Sequence, residues 1–151
     1  MIPSGVAAAA SRGFADDFTA FDRGPWADGD HVLGRSTLDP ANVVSGGRLE
    51  LALPAGTTDG AEVRTQSTYR YGSYRARIQV ADAPSSITGF FLYAPPDYES
   101  EIDVELFNDP DGEVIFSTHA RGARTHTERR PVGFDETAAM HEYRFDYTPA
   151  R

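Results

Sequence analysis

Ser100-Glu101-Ile102-Asp103-Val104-Glu105-Leu106-Phe107 is the stretch from which the fold is read. Side chains of a β-strand alternate between its two faces, so Glu101, Asp103 and Glu105 share one face while Ile102, Val104 and Leu106 share the other. One face is suited to a core. The other carries three carboxylates, and like charges at neighbouring same-face positions repel. A partner or a reaction has to account for their presence.

Outward from this strand the same period recurs. Tyr74, Ala76, Ile78 and Val80 fall on one face of a predicted strand, Leu49, Leu51 and Leu53 on one face of another, and Tyr143, Phe145 and Tyr147 on one side of a third. Thr88 to Ala94 and Glu113 to His119 read as strands too. Between them lie turn residues: Ser45-Gly46-Gly47, Pro54-Ala55-Gly56, Ala94-Pro95-Pro96-Asp97 and Asn108-Asp109-Pro110-Asp111-Gly112. The last has the length of a hairpin loop and pairs the acidic strand with Glu113 to His119. With 14 glycines and 10 prolines acting as punctuation and few helix signals, the chain reads as an all-β sandwich of six or more strands.

The bulk properties narrow the functions. A chain of 151 residues is the size of one domain. Its net charge of -9 and pI near 4.8 repel phosphate backbones and anionic lipid, so neither nucleic acid nor a membrane is an expected partner. The longest apolar run, Phe90 to Ala94, is far short of a membrane span. With no cysteine there are no disulfides or thiolate metal sites, which leaves export open. The small residues Val6 to Ser11 resemble a signal cleavage region without the preceding basic and apolar segments, and residues 1–13 read as a disordered tail ahead of a domain over 14–151.

Two carboxylates on either side of a sugar linkage are the apparatus of glycoside hydrolysis, one attacking the anomeric carbon or activating water and the other protonating the departing oxygen. The Cα atoms of Glu101 and Glu105 stand about 13 Å apart on a straight strand, whereas retaining chemistry needs carboxyls about 5–5.5 Å apart. Flexible Glu side chains on a concave sheet can close that gap. Asp103 then lies between them, and repulsion raises the pKa of at least one carboxyl of the set. A solvated acidic face or a Ca²⁺ site are the competing readings of the triplet, although a strand interior lacks the carbonyls and turn glycine of a Ca²⁺ loop.

Ser100-Glu101-Ile102-Asp103-Val104-Glu105-Leu106 resembles the signature of glycoside hydrolase family 16, in the unbulged form of the lichenases. The similarity continues in Ala61-Glu62-Val63-Arg64-Thr65-Gln66-Ser67-Thr68-Tyr69-Arg70-Tyr71-Gly72-Ser73-Tyr74-Arg75-Ala76-Arg77, in Thr88-Gly89-Phe90-Phe91-Leu92-Tyr93, in Gly133-Phe134-Asp135 and in His141 to Pro149. The resemblance implies a concanavalin A-like jelly roll of two curved antiparallel sheets and a retaining endo-glycosidase acting on a β-glucan or galactan. By motif position Glu101 resembles the nucleophile, Asp103 the assisting acid and Glu105 the general acid/base. Glu62, Arg64, Phe91, Tyr93 and Trp26 match positions lining the family's sugar cleft. The competing readings are a surface ion pair for Glu62 and Arg64, and a place in the core for Phe91, Tyr93 and Trp26.

Ser117 and His119 share a face of the following strand and are placed to border the carboxylates. Lichenases carry an amide and a tyrosine near these two positions, a tryptophan where Glu99 stands, and an amide where Asp28 stands, so β-1,3-1,4-glucan specificity does not follow from the motif. Further strands follow the matched region in the family, and roughly its last third has no counterpart here, which implies an incomplete jelly roll. His126 and His141 have no metal-ligand spacing with His119, and no metal is expected at them. No cofactor is required, while a structural Ca²⁺ stays open. The expected partner is a polysaccharide, the chain a monomer, and the location extracellular by resemblance. A noncatalytic, lectin-like jelly roll or an inactive fragment is the alternative function.

Overall fold

The computed structural model describes residues 13–108 and 111–149. Twelve strands run in chain order: β1 (Trp26–Asp28), β2 (His31–Leu33), β3 (Ser36–Leu38), β4 (Val43–Ser45), β5 (Leu49–Leu51), β6 (Val63–Thr65), β7 (Gly72–Ile78), β8 (Ile87–Ala94), β9 (Ser100–Phe107), β10 (Glu113–Ala120), β11 (Ala123–Pro131) and β12 (His141–Tyr147). The chain is all-β and every paired strand is antiparallel, as expected. A 3-10 turn at Pro40–Asn42 is the single helical element among the described residues, capped by Asp39 Oδ1, which accepts from Ala41 N. The tail expected at residues 1–13 lies, apart from Gly13, outside the described residues, as do Asp109 and Pro110 of the expected hairpin loop.

The strands fall into two compact units that divide after Thr68. In the first, β1 pairs with β6, β2 with β3 and β4 with β5. The strand expected over Arg48 to Leu53 shortens to Leu49–Leu51, and Leu51 and Leu53 are exposed rather than packed in a core. Its ladder with β4 is three residues long, and Pro54 supplies no N–H with which to extend it.

The second unit holds the acidic strand. A four-stranded sheet has the order β11-β10-β9-β8, and β7 pairs with β12. Alternation acts here as read: Val104 and Leu106 are fully buried with Val80, Val114 and Tyr143, and Ile78, Phe90, Val132 and Phe145 pack around them. The Phe145 ring joins the two sheets, 5.1 Å from the ring of Tyr74 and 5.1 Å from that of Phe90. At about 25 cal/mol per Å² of apolar area, each such side chain contributes about 1.5–3 kcal/mol. This core fixes which face of β9 turns outward.

Asn108 anchors the end of β9. It is buried, its Nδ2 donates to Ser86 Oγ at 2.8 Å, its Oδ1 accepts from Thr88 Oγ1 at 2.7 Å, and its backbone bonds to Ser86 and Ala83. The expected hairpin is present, with β9 and β10 paired from Val114↔Leu106 to Ala120↔Ser100.

Candidate active site

Register across the sheet assembles the site. Glu101 stands between Tyr93 and His119, Asp103 between Phe91 and Ser117, and Glu105 between Gly89 and Ile115. Neither pairing of β9 slips by a residue, in keeping with an unbulged strand. Opposite Glu105, Gly89 presents no side chain, and the Phe91 ring lies over it, with Cδ1 3.4 Å from where a Cβ would stand. Phe91 and Tyr93 flank the acids on the outward face and are 44% and 45% exposed, so they are not core residues. The Tyr93 hydroxyl donates to Asp97 Oδ1 at 2.7 Å, and that bond above all holds its phenol above the ordinary range.

His119 closes the other side. Its Nδ1 lies 3.3 Å from Asp103 Oδ2 and 3.7 Å from Glu101 Oε2, and its side chain is 8% exposed. The Tyr98 ring packs on the imidazole with centroids 4.9 Å apart. Local backbone explains how Tyr98 reaches it. The β10–β11 connection is a two-residue turn with positive φ at Arg121 (56°) and Gly122 (76°), as a type I′ hairpin requires. That turn is tied to the β8–β9 loop by Arg121 N to Glu99 O at 3.0 Å and Gly122 N to Tyr98 O at 3.0 Å. Ser117, opposite Asp103, is buried, with its hydroxyl 3.3 Å from Thr127 Oγ1.

Electrostatics single out the middle acid. Burial, then the charges of Glu101 and Glu105, then a hydrogen bond with Glu101 push the Asp103 carboxyl from 3.8 up to about 7, while the Arg124 guanidinium pulls it back. Arg124 faces His119 across β10 and β11, next to a register shift between Thr118 and His119. Asp103, when protonated, is placed to donate to the Glu101 carboxylate. The upward shift falls on the central carboxyl of the row.

Glu62, Arg64 and Trp26 belong to the first unit. Glu62 Oε1 is 3.8 Å from Arg64 Nη1, and its Oε2 is 3.8 Å from His31 Nε2. Glu62 is largely buried while Arg64 is exposed, and the pair gains His31 as a third member. Gly29 permits this packing, since a Cβ there would lie 2.8 Å from Glu62 Cβ. Trp26 is partly buried, with Nε1 donating to Asp16 Oδ2 at 2.9 Å and its ring against Phe14 and Phe18. Asp28 is held by Arg23 through bonds of 2.9 and 2.6 Å.

Tyr98, Arg124 and His31 were not found by sequence reasoning. Tyr98 and Arg124 reach the acids through loop and register, which alternation within one strand does not report. His31 starts a three-residue strand too short for a periodic signal. His126 is exposed beside Glu128, and His141 stacks on Phe134 with ring centroids 4.1 Å apart, in line with surface roles. By contrast His119 joins Glu101 and Asp103 in a donor set within 4.8 Å, which spacing among the histidines alone does not reveal.

An antiparallel β-sandwich with three alternating carboxylates on an outward sheet face defines a glycosidase-type jelly roll. The chain belongs to the glycosyl hydrolases family 16, whose profile matches residues 33–151. It is 31% identical to the beta-glucanase of Bacillus amyloliquefaciens, a match covering 98% of this chain and 67% of that protein. To the beta-glucanase of Bacillus subtilis (strain 168) it is 30% identical, over 90% of this chain and 61% of the relative. Among solved structures, the Bacillus licheniformis beta-glucanase superposes with a TM-score of 0.80 at 27% identity, covering 93% of this chain and 72% of that one. A prokaryotic beta-1,3-1,4-glucanase (lichenase) derived from a mouse hindgut metagenome gives a TM-score of 0.76 at 26% identity, covering 90% and 70%. The chain therefore spans about two thirds of the length of these relatives. Among the described residues no helix is long and apolar enough to cross a membrane.

Proposed function

We propose that this chain carries the catalytic strand of a retaining endo-glycosidase of β-glucan or a related polysaccharide, working outside the cell without a required cofactor. The single family match from residue 33 to residue 151 spans both units and supports residues 14–151 as one domain. The observation that carries the functional reading is the row Glu101, Asp103, Glu105 on the outward face of β9, with the core on the opposite face and burial and neighbouring charge raising the Asp103 carboxyl to about 7.

In this reading a Glu101 carboxylate oxygen attacks the anomeric carbon as the bond to the leaving oxygen breaks, and the Glu105 proton passes to that oxygen. Water then attacks the glycosyl ester, Glu105 accepts its proton, and Glu101 departs as carboxylate. Asp103 assists by hydrogen bonding. It donates to Glu101 while that group is charged, and esterification of Glu101 removes one of the charges that hold the Asp103 proton in place. Exposed Phe91 and Tyr93 offer aromatic faces for the apolar faces of sugar rings.

A reducing-sugar assay on β-glucans and galactans, with NMR of the first product anomer, tests this. Glu105→Gln is expected to lose about 10²–10⁴-fold in turnover on substrates with poor leaving groups. Glu101→Gln is expected to fall to background. Turnover unchanged by both substitutions, or an inverted product, sinks the assignment. Glycan binding without cleavage by the unaltered chain selects the lectin-like alternative.

A further inference from the structure

The donor set around His119 has a second chemistry available to it. Its Nδ1 is buried and makes no hydrogen bond, yet it points at two carboxylates. A ring nitrogen in that state lacks the partner that buried polar atoms ordinarily have. One imidazole nitrogen and two carboxylate oxygens, all within 4.8 Å of one another, match the ligand number and type of a three-residue zinc site. Tetrahedral ligands about 2.0–2.1 Å from the ion lie about 3.3 Å from one another. Nδ1 to Asp103 Oδ2 is already 3.3 Å and Nδ1 to Glu101 Oε2 is 3.7 Å, so short side-chain rotations complete the triangle. Glu105, two residues beyond Asp103 on the same face, adds negative potential, and Arg124 is the cation that opposes it.

We infer that Glu101, Asp103 and His119 form a binding site for a late first-row divalent ion, Zn²⁺ being the probe that fits, and that occupancy blocks the acidic row. Ca²⁺ and Mg²⁺ are selected against, since both favour oxygen ligands in larger number and neither favours imidazole. The ion covers the carboxylate that is to attack the sugar, so it acts as an inhibitor rather than a cofactor. That consequence rests on the catalytic reading above, whereas the binding does not.

Calorimetric titration of ZnCl₂ into the chelator-treated chain at neutral pH measures the binding without any turnover. One ion per chain is expected, weakened at least tenfold by His119→Phe and by Asp103→Asn, and not displaced by a hundredfold excess of Mg²⁺ or Ca²⁺. If a variant fails to fold, ¹⁵N NMR of the unaltered chain decides: the first equivalent must shift the His119 nitrogens and leave His31, His126 and His141 in place. No saturable binding, binding that both folded variants retain, or a first equivalent that moves another histidine overturns the site. In a glucanase assay, inhibition reversed by chelator extends the inference to activity. Zinc binding with an inactive chain leaves the site standing and removes only the catalytic reading.

Discussion

Replacing Asp103 with asparagine removes the ionisation that the active row opposes most. The group's carboxyl rises from 3.8 to about 7. Because the folded state binds this proton more tightly than the unfolded chain does, the associated stability is fully present below about pH 3.8 and is lost as pH rises through about 7. A rise of about three pH units at 1.36 kcal/mol each gives about 4 kcal/mol, and screening by solvent at the open face lowers that to about 2 kcal/mol. Between pH 5 and pH 8 about two of those pH units are crossed, which leaves about 1.5 kcal/mol after the same reduction.

Asparagine has the same shape and no charge, so that pH dependence disappears from the variant. Urea unfolding of both proteins at pH 5 and pH 8, with EDTA present to exclude divalent ions, gives the double difference in which titrating groups remote from Asp103 cancel. Asp103→Asn is expected to gain about 1.5 kcal/mol on the parent between the two pH values, equivalent to about 3–6 °C in Tm for a chain of this size. The gain comes with reduced turnover, since the amide can still donate a hydrogen bond to Glu101 but cannot change its own charge as Glu101 is esterified. A double difference of zero, or one favouring the parent at pH 8, refutes the account of Asp103 as the strained member of the row.

Two further substitutions probe the supports of the site. Asn108→Ala strips the buried partners from Ser86 Oγ and Thr88 Oγ1, and a loss of about 2–3 kcal/mol in chemical denaturation is expected, with hydrogen exchange rising first at the ends of β8 and β9. Stability within about 0.5 kcal/mol of the parent counts against Asn108 as the anchor of β9. Gly29→Ala places a Cβ 2.8 Å from Glu62 Cβ, so about 1–3 kcal/mol of destabilisation is expected from overpacking, read from the denaturation midpoint, and a neutral result removes the close approach as the reason for glycine there.

The parts of this site that were legible in the sequence are those that one strand decides. Period-two alternation depends on nothing beyond β9 itself, so the split between the acids and Val104 with Leu106 follows from the residue order alone. Strands β7 and β12 were legible for the same reason, each burying one apolar row. Strand β11 was not. Ala123–Pro131 holds three arginines, a histidine and a glutamate, has no apolar row, and is exposed at eight of its nine positions. It is a strand because β10 offers it a full set of backbone partners. That unreadable strand brings Arg124 to the acids, and the turn that starts it holds Tyr98 on His119.

The family motif named the three acids, yet the histidine beside them takes its meaning from pairing register. A shift of one residue between β9 and β10 would turn His119 to the opposite face and leave the acids without it. Register in turn depends on the buried face, where Val114 packs in the same core as Leu106 and Val104. The charged row is therefore aligned by the apolar row behind it. Substitutions in that apolar row are expected to alter the acids' chemistry before they alter the acids themselves.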